Sequence, residues 1–153
     1  ALVYTFRNIC LMSASLMLLF AGQALHAADT GYRAPEQVDG ARTVQVEEVK
    51  QLHDAGAVFV DVRNPRLYAR RHIPGAIHLD LKTAYNESAL SAVADKQQPL
   101  VLYCSGVKCS RSSRASKMAV DWGFSDVLYF RGGIVDWRNA GYPVDSGNTV
   151  TGQ

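Results

Sequence analysis

Four consecutive apolar residues, Leu100, Val101, Leu102 and Tyr103, stand behind Pro99 and end on Cys104. A short apolar run bounded by a turn former reads as a buried strand. The next seven residues are small, polar or basic for the most part: Ser105, Gly106, Val107, Lys108, Cys109, Ser110 and Arg111. Ser110, Ser112 and Ser113 then offer caps for an alanine-containing helix that runs to Gly123. A strand that delivers a cysteine into a loop closed by a helix N-terminus favours a thiolate. Inward-pointing loop N–H groups, the positive helix end, Lys108, Arg111 and Arg114 each lower a thiol pKa, and the thiolate is the nucleophile. Cys104 is therefore the expected reactive residue. The plainer alternative is an inert cysteine at a strand end, but a basic, glycine-bearing loop has no packing purpose.

The chain of 153 residues allows one domain and little more, and 48% hydrophobic with 20% charged residues is an ordinary globular balance. A net charge of +2 is too small to point to a nucleic-acid partner. Arg7 is the only charge before Asp29, and an apolar stretch from Ile9 gives way to small residues near Ala24, Ala27 and Ala28. That order matches a secretory signal peptide over residues 1–27, cut after Ala27 or Ala24, with export to a bacterial periplasm. The rival is an uncleaved anchor, but the apolar run is short of the roughly 20 residues a spanning helix needs, so no stable membrane insertion is expected after cleavage.

Export bears on the cysteines. Of the three, Cys10 leaves with the signal segment, which leaves Cys104 and Cys109. Two near cysteines in an oxidising compartment can pair. Their spacing is not the two-residue spacing of thioredoxin-like oxidoreductases or zinc knuckles, and no His, Asp or Glu clusters around them at ligand spacing. No metal is expected.

Residues 28–42 are polar and turn-rich and read as an N-terminal arm or linker. Thr43 and Val44 could open a sheet. Val46, Val49 and Leu52 lie at helical spacing before Gly56. Val58 to Val62 is a compact strand, and Asn64 with Pro65 caps a short helix. Ile77 to Leu79 is another short strand, residues 87–94 read as helix, residues 127–130 as strand, and residues 134–139 as a short helix after a Gly132-Gly133 turn. Residues 146–153 form a polar tail. Strands alternating with helices over residues 43–145 mean an α/β domain, with a mostly parallel central sheet and helices on both faces. Ligands of such sheets bind beyond the carboxyl ends of the strands. Cys104 lies at such an end, and so does Asp61.

Three segments in this order resemble the rhodanese (sulfurtransferase) family in its single-domain exported form. They are Val60-Asp61-Val62-Arg63 followed by His72-Ile73-Pro74-Gly75-Ala76-Ile77; Cys104 at its strand end; and Gly132-Gly133-Ile134-Val135-Asp136-Trp137 with Ala140-Gly141-Tyr142-Pro143-Val144. The chain departs from the family pattern at Leu67, often acidic there, and at Arg71, often glycine. Its loop also differs: Cys109 stands where an arginine is common, and the arginine–serine pair comes later, at Arg111-Ser112. The loop is about two residues longer and carries a second thiol, as in a two-cysteine branch of the family.

The resemblance implies a rhodanese-like fold and a thiosulfate sulfurtransferase-like enzyme. Cys104 takes a sulfane sulfur from a donor such as thiosulfate, becomes a persulfide, and yields the sulfur to cyanide or a thiol, a protein thiol included. No cofactor is implied. The loop from Ser105 to Arg111 would surround the outer sulfur, and Gly106 would let the backbone approach. Lys108 and Arg111 either attract an anionic donor or are ordinary solvated charges. Asp61 and Arg63 support the loop and fold. His72 reads as a capping histidine rather than a base, and Trp137 and Tyr103 as packing. Three other readings compete. A cysteine phosphatase would want arginine six positions after the cysteine, where Ser110 stands. Cys104 and Cys109 could cycle as a redox pair or Cys109 could resolve the persulfide. A sulfur-carrying binding module is the non-enzymatic option.

Overall fold

The computed structural model describes residues 31–147. The signal-peptide expectation and the end of the tail, residues 148–153, lie outside the described residues. Five short parallel strands make one sheet: β1 (Arg42–Thr43), β2 (Val58–Asp61), β3 (Ile77–His78), β4 (Leu100–Tyr103) and β5 (Val127–Phe130). Their order across the sheet is β1-β5-β4-β2-β3. The apolar run at Leu100 is thus the central strand, flanked by β2 and β5 and buried along its whole length. A strand covered on both faces has no polar side to alternate with, which is why β4 and β5 are continuous apolar runs.

Five helices cover the sheet: α1 (Val46–Asp54), α2 (Pro65–Arg70), α3 (Glu87–Ser91), α4 (Arg111–Asp121) and α5 (Gly133–Asn139). Val60, Val62, Leu100, Leu102 and Cys104 face Leu90 of α3 and Ala115 and Ala119 of α4. Phe59, Val101, Tyr103 and Phe130 face Val49 of α1 and Ile134 and Trp137 of α5. Alternation along β4 thus puts Tyr103 in one layer and Cys104 in the other.

Local signals account for the short helices. The Asn64 side chain accepts the Leu67 N–H at 2.9 Å, with Pro65 at the first helical position. Asn86 caps α3 in the same way through the Ala89 N–H. That helix stops at Ser91, short of the expected residue 94, where the Val93 N–H tightens onto the Leu90 carbonyl three residues back. The described part of the N-terminal arm, from residue 31, is docked. Ala34 and Val38 are buried, Tyr129 Oη and the Arg131 guanidinium donate to the Ala34 and Pro35 carbonyls, and Thr43 Oγ1 donates to that of Glu36.

Asp61 pairs in register with Tyr103, not with Cys104, so its carboxylate lies in the layer away from the thiol. It is fully buried and is taken up by Arg63, whose Nε donates at 2.9 and 3.0 Å, Nη2 at 2.5 Å and backbone N–H at 3.0 Å. Arg63 Nη2 also donates to the Arg71 carbonyl at 2.6 Å, which ties the strand end to the approach to β3. Asp61 thus lies at a strand end next to that of Cys104 but does not face the thiol. The pair is a structural clamp. His72 is buried, stacks on Tyr68 at 3.9 Å and bonds the Tyr68 carbonyl through Nδ1. Trp137 is fully buried, with Nε1 donating to the Pro143 carbonyl at 2.7 Å. Both are packing residues.

Removing the charge of Asp61 leaves a buried guanidinium without its partner. Asp61→Asn is expected to cost about 3–5 kcal/mol, read as a lower urea midpoint at unchanged slope. A cost below about 1 kcal/mol would show that the clamp contributes nothing.

Candidate active site

The loop after β4 is held from outside by its carbonyls. The Cys104 carbonyl accepts the Ile134 N–H and the Ser105 carbonyl accepts the Val135 N–H, both at 3.1 Å. The Val107 carbonyl accepts the Ala34 N–H at 2.7 Å, and the Gly106 carbonyl accepts the Cys109 N–H at 2.9 Å. In a trans peptide the next N–H points the opposite way. Fixing the Cys104 and Ser105 carbonyls on α5 therefore turns the Ser105 and Gly106 N–H groups inward.

This seating depends on Gly133. Its φ is +57°, and a Cβ there would lie 2.3 Å from the Cys104 carbonyl oxygen and 2.9 Å from the Gly106 nitrogen. No side chain fits. Gly106 is tight in its turn, with the Gly132 carbonyl oxygen 3.1 Å from where its Cβ would be.

A cavity of about 650 Å³ opens over the loop, lined by residues 105–111 and by Gly132, Val135 and Asp136 across from them. All seven expected loop residues, Ser105 to Arg111, are in its wall. Cys104 is fully buried beneath them. Its Sγ contacts Ser112 Oγ at 3.1 Å and the Cys109 carbonyl at 3.4 Å, and its proton affinity is tied to that of the Cys109 thiol. Ser112 thus serves the thiol rather than the helix end. Ser110 occupies the cap position of α4 without a side-chain cap bond, and Ser113 Oγ donates back to its carbonyl at 3.0 Å.

The charges are divided differently from the sequence expectation. The bond from Cys109 and burial hold the Cys104 thiol well above the ordinary range. Cys109 is lowered to about 6, first by the bond from Cys104 and then, against burial, by the N–H groups of Arg111 and Ser105 and the Arg111 charge. Both shifts run in one direction, toward a thiolate on Cys109 and a protonated Cys104. The loop and helix do stabilise a thiolate, but on the more exposed sulfur, because a buried anion costs more than a half-buried one.

Arg111 is not a loose solvated charge. Its Nη1 donates to Asp80 Oδ1 at 2.6 Å and to the Val62 carbonyl at 3.1 Å, which ties the start of α4 to the ends of β2 and β3. Burial opposes the charge of Asp80, but the Lys82 N–H and Arg111 together hold its carboxyl below the usual carboxylate range. Lys108 is exposed on the cavity rim. Sequence reasoning missed Asp80, Gly133 and Ala34 as site residues. A lone carboxylate just past β3, at the same sheet edge as the end of β2, was the available signal for Asp80. Among the described residues, no group of three His, Cys, Asp or Glu side chains could hold a metal ion.

Known proteins resemble this chain in sequence and fold. The rhodanese-like domain profile matches residues 45–140. The thiosulfate sulfurtransferase GlpE of Pseudomonas paraeruginosa is 38% identical over 117 residues, covering 75% of this chain and 96% of that protein. A solved Bacillus halodurans protein superposes with a TM-score of 0.62 at 26% identity, covering 69% of this chain and 77% of the other. A Rhodopseudomonas palustris structure named a possible tyrosine phosphatase gives a TM-score of 0.57 at 29% identity, covering 69% and 85%.

The charge division sets how the two thiols react. Iodoacetamide should alkylate Cys109 with a rate that rises through pH of about 6, while Cys104 stays unmodified; peptide mapping reads this, and equal labelling of both would contradict the division. Gly133→Ala should lose stability by about 1–3 kcal/mol and lose turnover with it, because the loop must leave α5 to admit the methyl group. Unchanged melting and turnover would show that the seating is dispensable.

Proposed function

The chain belongs to the rhodanese-like domain family, and from that premise we propose that it moves a sulfane sulfur from a donor such as thiosulfate to cyanide or a thiol through a persulfide on Cys104. It is an enzyme of the thiosulfate sulfurtransferase type. The observation that carries the persulfide reading is Cys104 at the carboxyl end of the central strand, beneath a loop whose N–H groups turn inward. Such donors stabilise the anion that forms on the outer sulfur.

The residues define the steps. An anionic donor enters the cavity past Lys108 and Val135. The Cys104 proton passes to Cys109, which already shares it, and the Cys104 thiolate attacks the donor's outer sulfur. Ser112 Oγ, at 3.1 Å, orients Cys104 Sγ. The N–H groups of Ser105 and Gly106 then face the new sulfur. An acceptor thiol or cyanide removes it by the reverse displacement. Export to a bacterial periplasm, with a protein thiol as acceptor, is part of the same proposal.

The phosphatase alternative is weaker on a specific observation. A phosphate grip needs an arginine whose fork is free to meet two oxygens. Arg111 is the first arginine of the loop, and its Nη1 is committed to Asp80 and Val62.

Thiosulfate:cyanide turnover of the full chain tests the proposal. Thiocyanate should form with the reduced protein, and Cys104→Ser should lower the rate by at least about 1,000-fold, a nucleophile's loss. Turnover that survives in Cys104→Ser would overturn the assignment.

A further inference from the structure

The site holds two thiols of opposite character. Cys104 is fully buried, whereas Cys109 stands in the cavity wall. Each side chain shifts the other's proton affinity, and Cys104 Sγ lies 3.4 Å from the Cys109 carbonyl oxygen. The loop between them is folded back on itself by the bond from the Cys109 N–H to the Gly106 carbonyl. The N–H groups of Ser105 and Arg111 favour an anion on the Cys109 sulfur. An outer sulfur on Cys104 draws on the same group of loop donors. Loaded sulfur and the Cys109 side chain therefore compete for one cradle, and a persulfide formed there has a second nucleophile against its inner sulfur.

Resting on the sulfurtransferase reading above, we propose that Cys109 is a second catalytic residue, the thiol that resolves the Cys104 persulfide and releases its outer sulfur as hydrosulfide. In loading, the Cys104 thiolate bonds to the outer sulfur of thiosulfate. The donor's S–S bond breaks and sulfite leaves with the electron pair. In resolution, the Cys109 sulfur bonds to Cys104 Sγ, and the persulfide S–S bond breaks. The outer sulfur leaves with that electron pair and takes the Cys109 proton. Cys104–S–S⁻ and Cys109–SH thus give the Cys104–Cys109 disulfide and HS⁻. An external dithiol reductant, a small dithiol or a protein one, restores both thiols by exchange and becomes a disulfide itself. Over one cycle the outer sulfur of thiosulfate is reduced to sulfide and the dithiol is oxidised. This activity differs from delivery of a sulfane sulfur to cyanide, which leaves no protein disulfide behind.

The test is a single turnover without acceptor. The full chain is reduced, freed of reductant and mixed with one equivalent of thiosulfate in the absence of oxygen. Free sulfide, sulfite, intact mass and tryptic peptides are then read. Lys108 lies between the two cysteines, so trypsin puts them on separate peptides unless a disulfide joins them. The native chain is expected to release sulfide, to weigh about 2 Da less than the reduced chain and to yield the two peptides cross-linked. Cys109→Ser lacks the acceptor for the Cys104 proton and is expected to load more slowly, but once loaded to keep an adduct of roughly 32 Da on the Cys104 peptide, with sulfite released and no sulfide. A native chain that holds the adduct on either cysteine and releases no sulfide overturns the resolving role and leaves sulfur transfer standing. Failure of both proteins to take up sulfur or release sulfite overturns the sulfur-transfer reading, and this inference with it.

Discussion

The seating of the Cys104 and Ser105 carbonyls on the first turn of α5 is the contact on which the rest of the site depends. Two hydrogen bonds at 3.1 Å fix the peptide that leaves β4. Planarity then decides where the following N–H groups point, and so turns the Ser105 and Gly106 donors inward. The contact is possible because Gly133 brings bare backbone against bare backbone. It also couples distant parts of the chain. The second end of the loop is held by Ala34 through Val107, and the carbonyls of Ala34 and Pro35 are held by Arg131, one residue past β5. The loop is therefore pinned by the helix that follows the last strand and by the arm that precedes the first.

Charge serves mostly to hold this frame. Arg63 closes on Asp61 in one layer, and Arg111 closes on Asp80 in the other. The Asp61–Arg63 pair locks the end of β2 and reaches the Arg71 carbonyl, whereas Arg111–Asp80 joins the start of α4 to a segment far away in sequence. Both are desolvated enough that only good geometry offsets the cost of burial. The several donor contacts around Asp61 meet that condition. Arg111 has two roles at once. It anchors the start of α4, and the same cation sits beside the Cys109 sulfur and favours its thiolate.

Much of this frame was legible in the sequence. The strands at Val58, Leu100 and Val127 were visible as apolar runs, because strands buried on both faces cannot alternate. The caps at Asn64 and the stop at Gly56 are local chemistry and were read as such. The parts that were not legible are long-range. Gly132-Gly133 looks like any turn until the Cys104 backbone is seen against it. Ala34 carries no chemical signal, because its role is a main-chain N–H. The end of β2 and the end of β4 are neighbours, as expected, yet Asp61 faces away from the thiol. A one-residue offset along a strand changes the face, and only the register between β2 and β4 reveals it. The charge division between the cysteines was hidden for a related reason. Loop amides and arginines were correctly expected to favour a thiolate, but burial decides which thiol receives it.

The longer loop then has a physical meaning. An arginine in the place of Cys109 would put a cation over the nucleophile. Here the same position holds a second sulfur, and the cation arrives two residues later with Nη1 already bound to Asp80. The site exchanges a fixed positive charge for a thiol that can share a proton with Cys104 or bond to it. A fixed cation stabilises an anion on Cys104 continuously. A neighbouring thiol competes with that anion for the same amide donors and raises the proton affinity of Cys104 while it does so. In the proposed mechanism the nucleophile is masked until Cys109 takes its proton, and the sulfur it would then carry stands next to a group able to displace it. Storage of a persulfide needs a quiet cradle, and this loop does not provide one. Its geometry favours passage of sulfur through the site over retention within it.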